Sequence, residues 1–206
     1  MKTTIKILII SIILSISCSA QTRYIQRTVN LSDTFLDSHN HINGDYIKDN
    51  LNQLNAFVGN WVYDDGNGTI FTVQLRKKEQ LLANSEFTYY FSDMLILTYK
   101  LVKNGVVLYD NLNTPLPDEI LKTSQGTYGY FGLYDNNDLN KLWGSFHDEI
   151  YNIIADCTIK KLPTPTGTPE KISFDLYRAW RRNDPSFYQG LSSTFGVPDN
   201  IELTKL

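Results

Sequence analysis

The chain has 206 residues, a formal net charge of −3, and 42% hydrophobic against 20% charged residues. That length suits one domain with short extensions, and the balance is that of a folded globular protein rather than a disordered one. The slight acidic excess argues against a dedicated nucleic-acid binder, and two cysteines exclude a disulfide scaffold or a four-thiolate zinc site.

Residues 1–20 read as a secretory signal peptide. Lys2 and Lys6 precede an apolar run from Ile7 to Ile16, broken only by Ser11 and Ser15, and the small residues Ser17, Cys18, Ser19 and Ala20 follow. The run is about half the ~20 residues that a membrane-spanning helix needs, which disfavours a permanent anchor. Two fates compete: cleavage after Ala20, the favoured one, or lipidation at Cys18. For the second, Leu14-Ser15-Ile16-Ser17-Cys18 resembles a bacterial lipobox, with Cys18 as the mature N-terminus. The expected destination is the periplasm, the outer membrane as a lipoprotein, or the medium. Either fate leaves Cys157 without an internal disulfide partner. Its place in the alternating set Ile153, Ala155, Cys157, Ile159 predicts a buried, inert thiol.

Residues 21–45 form a polar leader, irregular or partly extended, and residues 46–206 carry the domain proper. Ile47, Leu51, Leu54 and Val58 follow helical spacing and predict a short N-terminal helix over Ile47–Ala56. Asp45 would be its N-cap, Asp49 would favour its positive end, and Gly59 would stop it. From Asn60 onward the period changes to two. Strands are predicted at Asn60–Tyr63, Thr69–Lys77, Glu86–Tyr90, Met94–Val102, Val106–Tyr109, Tyr128–Tyr134, Lys141–His147, Ile153–Ile159, Lys171–Trp180 and Ile201–Leu206. Asp65-Gly66-Asn67-Gly68, Asn104-Gly105 and Asn136-Asn137-Asp138 are hairpin chemistry, with Asn-Gly favouring a type I′ turn. About ten sequential antiparallel strands without βαβ alternation predict a mainly β fold, a single antiparallel β-barrel or a sandwich, with the barrel preferred.

Asn55-Ala56-Phe57-Val58-Gly59-Asn60-Trp61-Val62-Tyr63 resembles the G-x-W entry to the first strand of lipocalin-type barrels. The resemblance implies a lipocalin-like barrel in which Gly59 allows a tight turn and Trp61 closes one end. Further segments resemble a group of exported bacterial proteins known only as a domain of unknown function. They are Tyr46-Ile47-Lys48-Asp49, Phe57-Val58-Gly59-Asn60-Trp61 again, Asp93, Tyr99, Lys103-Asn104-Gly105 and Ile201-Glu202-Leu203-Thr204-Lys205. That resemblance implies a secreted β-rich domain and supplies no reaction.

Several residue sets invite a chemical reading. His39 and His41, with Asp37 or Asp45, have the donors for a metal site, but the segment is polar and otherwise reads as a solvated loop. His147-Asp148-Glu149 would serve as an acid–base cluster or, more plainly, as a polar strand end. Arg178, Arg181 and Arg182 around Trp180 would hold an anion, or Arg178 would lie across an aromatic such as Trp61. Tyr128, Tyr130, Tyr134, Phe131 and Trp143, with Gly129 and Gly132 leaving room, would line a cavity or pack a core. No nucleophile elbow, P-loop or dinucleotide fingerprint occurs, so no catalytic residue, cofactor or metal is assigned. The expectation is a non-catalytic binder of a small apolar or aromatic-stacking ligand, with Trp61, Tyr130, Phe131 and Trp143 as structural or lining residues. The alternatives are an envelope module that binds a macromolecule through its outer face or loops, and an envelope hydrolase.

Overall fold

A computed structural model describes residues 23–31, 42–84, 88–120, 128–133, 138–178 and 195–206, with only the backbone of Arg178 included. Among them eleven strands form one continuous sheet. The barrel strands are β3 (Gly59–Asp64), β4 (Thr69–Asn84), β5 (Tyr89–Lys103), β7 (Gly129–Leu133), β8 (Lys141–Asp148), β9 (Ile153–Lys161), β10 (Lys171–Arg178) and β11 (Ile201–Lys205). Each pairs antiparallel with the next, and β11 pairs with β3 through Thr204↔Val62 and Lys205↔Trp61. The result is a closed eight-stranded antiparallel barrel. Closure removes the exposed edges that an open sheet of this length would carry.

Three further strands use the long hairpin of β4 and β5. Along its second edge β5 pairs first with β2 (Asp45–Lys48), then with β7, then with β6 (Val106–Asp110). The parallel strand β1 (Arg27–Asn30) adds beyond β2, so the leader contributes to the sheet. Tyr89 and Tyr90 of the predicted strand Glu86–Tyr90 belong to the same element as the predicted strand Met94–Val102, since β5 runs unbroken from Tyr89 to Lys103, while Glu86 and Phe87 lie outside the described residues. The β5–β6 turn has Asn104 at φ 51° and Gly105 at φ 78°, the two positive values that a type I′ turn requires.

The predicted helix over Ile47–Ala56 is not there. Tyr46 and Ile47 are buried in β2, Leu51 is 65% exposed, and only Gln53–Phe57 coils, as one short 3₁₀ helix. Asn52 at φ 55° breaks any continuous helix. The apolar spacing was genuine, but the buried partners are Leu54 and Phe57, which enter the barrel end, rather than Leu51 and Val58. Asp45 is not a helix cap: its carboxylate receives two hydrogen bonds from Arg27 and one from the Ile42 amide.

A buried polar latch fastens this end. Asp93 accepts hydrogen bonds from Tyr46 Oη (2.7 Å), the Asp49 amide (3.0 Å) and the Gln80 amide (3.2 Å). Asp49 accepts from the Gln53 and Leu54 amides and pairs with Lys77 at 2.9 Å. Both carboxylates are almost fully buried, so their donors do what water would otherwise do. Burial, and then the bond to Asp93, push the Tyr46 hydroxyl well above its ordinary ionisation range. The other end is held by Asp148, which accepts from the Ile150 and Gly196 amides, while Phe195, Val197 and Ile150 pack on the core.

The interior is filled by side chains. Phe71, Tyr99, Phe146 and Phe174 form a connected aromatic cluster with ring centroids 5.2–5.6 Å apart, and Tyr109 joins Tyr99 at 4.6 Å. Eight strands enclose a space that side chains of this size occupy. Each such ring contributes about 1.5–3 kcal/mol by leaving water.

Candidate functional site

Alternation along each strand decides which aromatic can meet a ligand. Trp61 and Phe131 point inward and are completely buried. The Trp61 indole nitrogen donates to the Phe57 carbonyl (2.9 Å), and Lys205 Nζ lies 5.2 Å from the ring centroid. The cation over Trp61 is therefore Lys205 of the closing strand. Lys205 is held in turn by Glu170 at 2.6 Å. Together with Lys161, it draws the Glu170 carboxyl below its ordinary range.

Tyr130 and Trp143 point outward. Tyr130 is covered by a small second cluster with Leu81 and Ile96, roofed by Leu116, Ile120 and Tyr128. The Tyr128 hydroxyl donates to the Pro115 carbonyl and fixes that strap. Trp143 instead remains 40% exposed. The four residues singled out by sequence thus divide between interior and exterior, and they do not line one space.

The register around Trp143 builds a different set. One row across the outer sheet runs Gly132, Trp143, Thr158, Asp175, and the next runs Tyr130, Ser145, Asp156, Tyr177. Tyr177 is 51% exposed, and Ile154, beside His147 in the following row, is 38% exposed. Among the described residues nothing lies within 4 Å of a Cβ placed on Gly132, next to Trp143 in the register. This face carries two aromatic rings with Ser145, Asp156 and Asp175 in the rows between them and Lys141 and Lys160 in the adjacent row, whereas Thr158 is buried. Chemically the face suits stacking combined with hydrogen bonding.

Tyr177 went unnoticed by sequence reasoning as a partner of Trp143, although its outward phase was legible. The missing information was register: Trp143↔Thr158 and Thr158↔Asp175 place the two rings two strands and two residues apart.

The His147-Asp148-Glu149 set is divided by the same alternation. Asp148 turns into the core, whereas His147 Nδ1 meets Glu149 at 3.2 Å and His147 Nε2 lies 2.9 Å from Asn152 Oδ1. The Glu149 amide donates to Tyr99 Oη, so this turn is tied to the aromatic core. The outer pair brings two potential metal donors together. Among the described residues no group of three or more His, Cys, Asp or Glu side chains converges. Cys157 is fully buried, and burial raises its thiol well above the range of a reactive cysteine.

Cys18, Asp37, His39, His41, Tyr134, Trp180, Arg181 and Arg182 lie outside the described residues, as does the side chain of Arg178.

The segments that carried the sequence resemblance recur in these structural roles. Tyr46, Asp49 and Asp93 form the latch, Phe57 and Trp61 fill one end, Tyr99 anchors the His147 turn, and Ile201–Lys205 closes the barrel. No curated protein and no solved structure matches the chain. A family model does, over residues 1–206, and the protein belongs to that family, the family of unknown function DUF6705.

Proposed function

We propose that this protein is a non-catalytic binding module that recognises a macromolecular ligand on the outer face of β8, β9 and β10. The observation that carries this reading is the contrast in exposure between aromatic sets. Trp143 and Tyr177 are 40% and 51% exposed on one face, while Trp61, Phe71, Tyr99, Phe131, Phe146 and Phe174 are at most 1% exposed inside. Exposed aromatic side chains gathered on one face mark interaction surfaces more often than scattered ones do. A small ligand inside the barrel would have to displace that interlocked core, at a cost of several kcal/mol.

The module acts outside the cytoplasm, after loss of residues 1–20 or lipidation at Cys18. The supporting feature is the sequence from Lys2 to Ala20. The mature N-terminal residue tests this point: Gln21 or an acylated Cys18 fits, and an intact Met1 does not.

The binding reading is tested with fluorescently labelled mature protein on cells of its own host. The double variant Trp143→Ala/Tyr177→Ala should lose surface labelling while keeping the wild-type melting temperature. Equal labelling by both proteins would overturn the reading. So would a native mass spectrum in which protein from the host carries a small molecule that survives the double substitution.

A further inference from the structure

We propose that residues 111–120 form a gate that opens as one unit from the outer face of β4 and β5 while the barrel stays closed. The segment leaves β6 at Asn111, which fills the gap in the β5 ladder between β7 and β6. There the Tyr99 amide donates to Asn111 Oδ1 at 2.6 Å, and the Asn111 amide donates to the Tyr99 carbonyl at 3.1 Å. The segment then crosses the outer face to the last part of β4. The Leu82 amide donates to the Asp118 carbonyl at 3.1 Å, and the Ile120 amide donates to the Leu82 carbonyl at 2.8 Å. Midway, Arg76 Nη2 and Tyr128 Oη donate to the Thr114 and Pro115 carbonyls, each at 2.7 Å. Pro115 and Pro117 have no N–H to give, so the crossing cannot become a regular strand of the sheet.

The surface under this crossing is incompletely satisfied. Alternation places Leu95, Leu97 and Tyr99 inside the barrel, and Ile96 and Thr98 outside. Thr98 lies opposite Gln74 and diagonal to Arg76, yet it has no exposed surface. Leu81, Ile96 and Tyr130 are buried on the same face, with Leu116, Ile120 and Tyr128 packed on them. Closure leaves two buried polar atoms, Thr98 Oγ1 and Arg76 Nε, that no group among the described residues meets. The nearby cations Lys78 and Lys100 pair instead with Asp118 and Asp110. Because Asp118 is 97% exposed, its ion pair adds little to holding the crossing down.

These features set opening apart from unfolding. Opening returns two desolvated groups to water and relieves the penalty that closure carries. What it gives up is a handful of hydrogen bonds that water replaces, and a small cluster whose outer members are only partly buried. The main core lies on the opposite face of the same strands and keeps its packing. A segment with few buried contacts over an intact core opens at a lower free energy than the whole domain. Tyr130 is the register neighbour of Ser145, so the gate borders the face of β8–β10. Its opening does not depend on what that face binds.

Native-state hydrogen exchange of the mature protein in low urea tests the gate. The Leu82 and Ile120 amides, whose bonds join the segment to β4, should exchange roughly 100-fold faster than the slowest amides of β9 and β10, with little dependence on urea. Thr98→Val removes the unmet hydroxyl and should slow both amides roughly tenfold. Thr98 lies away from them on β5, so only a concerted opening passes the effect along. Thr98→Ser keeps the hydroxyl and should not slow them. Exchange of Leu82 and Ile120 at the rate of the β9 and β10 amides would overturn the gate, since the segment would then open only when the barrel unfolds. Unchanged or faster exchange in Thr98→Val, or a lower urea midpoint for that variant, would overturn it as well.

Discussion

Asp93→Asn should be among the most damaging conservative substitutions in the chain. Asp93 is 1% exposed and accepts from three donors on three segments: Tyr46 of β2, Asp49 before the 3₁₀ helix, and Gln80 at the bulge of β4. Asparagine keeps one oxygen. Placed at Oδ1, that oxygen still serves Tyr46 and Gln80, and the new NH₂ then faces the Asp49 amide, donor against donor. The lost bond to a charged acceptor is worth about 1.5–3 kcal/mol, and an unsatisfied buried N–H costs about 1–3 kcal/mol. The expected loss is about 3–5 kcal/mol, a large share of the ~5–15 kcal/mol that holds a typical domain. Urea unfolding followed by tryptophan fluorescence should show the midpoint falling by about 2 M at an unchanged slope. Tyr46→Phe removes one donor and should cost about 1–3 kcal/mol. A midpoint for Asp93→Asn within 0.3 M of wild type would refute the view that this latch fastens the barrel end.

Two glycines on neighbouring strands should behave oppositely. A Cβ at Gly144 would collide with the Tyr130 carbonyl oxygen and stand 2.8 Å from the Phe131 ring. Gly144→Ala should therefore cost about 3 kcal/mol by overpacking, whereas Gly132→Ala should stay within about 0.5 kcal/mol, both read from denaturant midpoints. The Glu170 carboxyl, drawn below its ordinary value of 4.5 by Lys205 and Lys161, gives a pH signature. Its folded pKa is the lower one, so its contribution is complete above about pH 4.5 and is lost as pH falls further. Between pH 5 and pH 3 the melting temperature of Glu170→Gln should fall less than that of wild type. Parallel curves would count against the Lys205–Glu170 clasp.

Much of the barrel was legible because its strands alternate cleanly and its turns carry their own chemistry. Phe71, Val73 and Leu75, or Ile153, Ala155, Cys157 and Ile159, sort inside from outside without any structure. Asn104-Gly105 likewise announces its hairpin. The helix failed for a local reason. Ile47, Leu51, Leu54 and Val58 share a helical period, yet Tyr46 and Ile47 gain more by pairing with β5, and the Asp49 carboxylate starts a shorter coil at Gln53. Barrel closure by β11 on β3 joins residues far apart in the chain, which no local pattern encodes. The candidate site was half visible for the same reason. Trp143 stood out as an aromatic, but its neighbours Thr158, Asp175 and Tyr177 belong to other strands and emerge only from register.

The chain contains three tryptophans, and two of them, Trp61 inside and Trp143 outside, report directly on where a ligand sits. The decisive measurement is a ¹H–¹⁵N titration of the mature protein with the macromolecular fraction from its host's surface. The Trp143 indole signal and the amides of Ser145, Asp156, Thr158 and Tyr177 should move together while the Trp61 indole stays fixed. Movement of the Trp61 indole and the Phe131 amide, with Trp143 unchanged, would contradict this and place the ligand within the barrel.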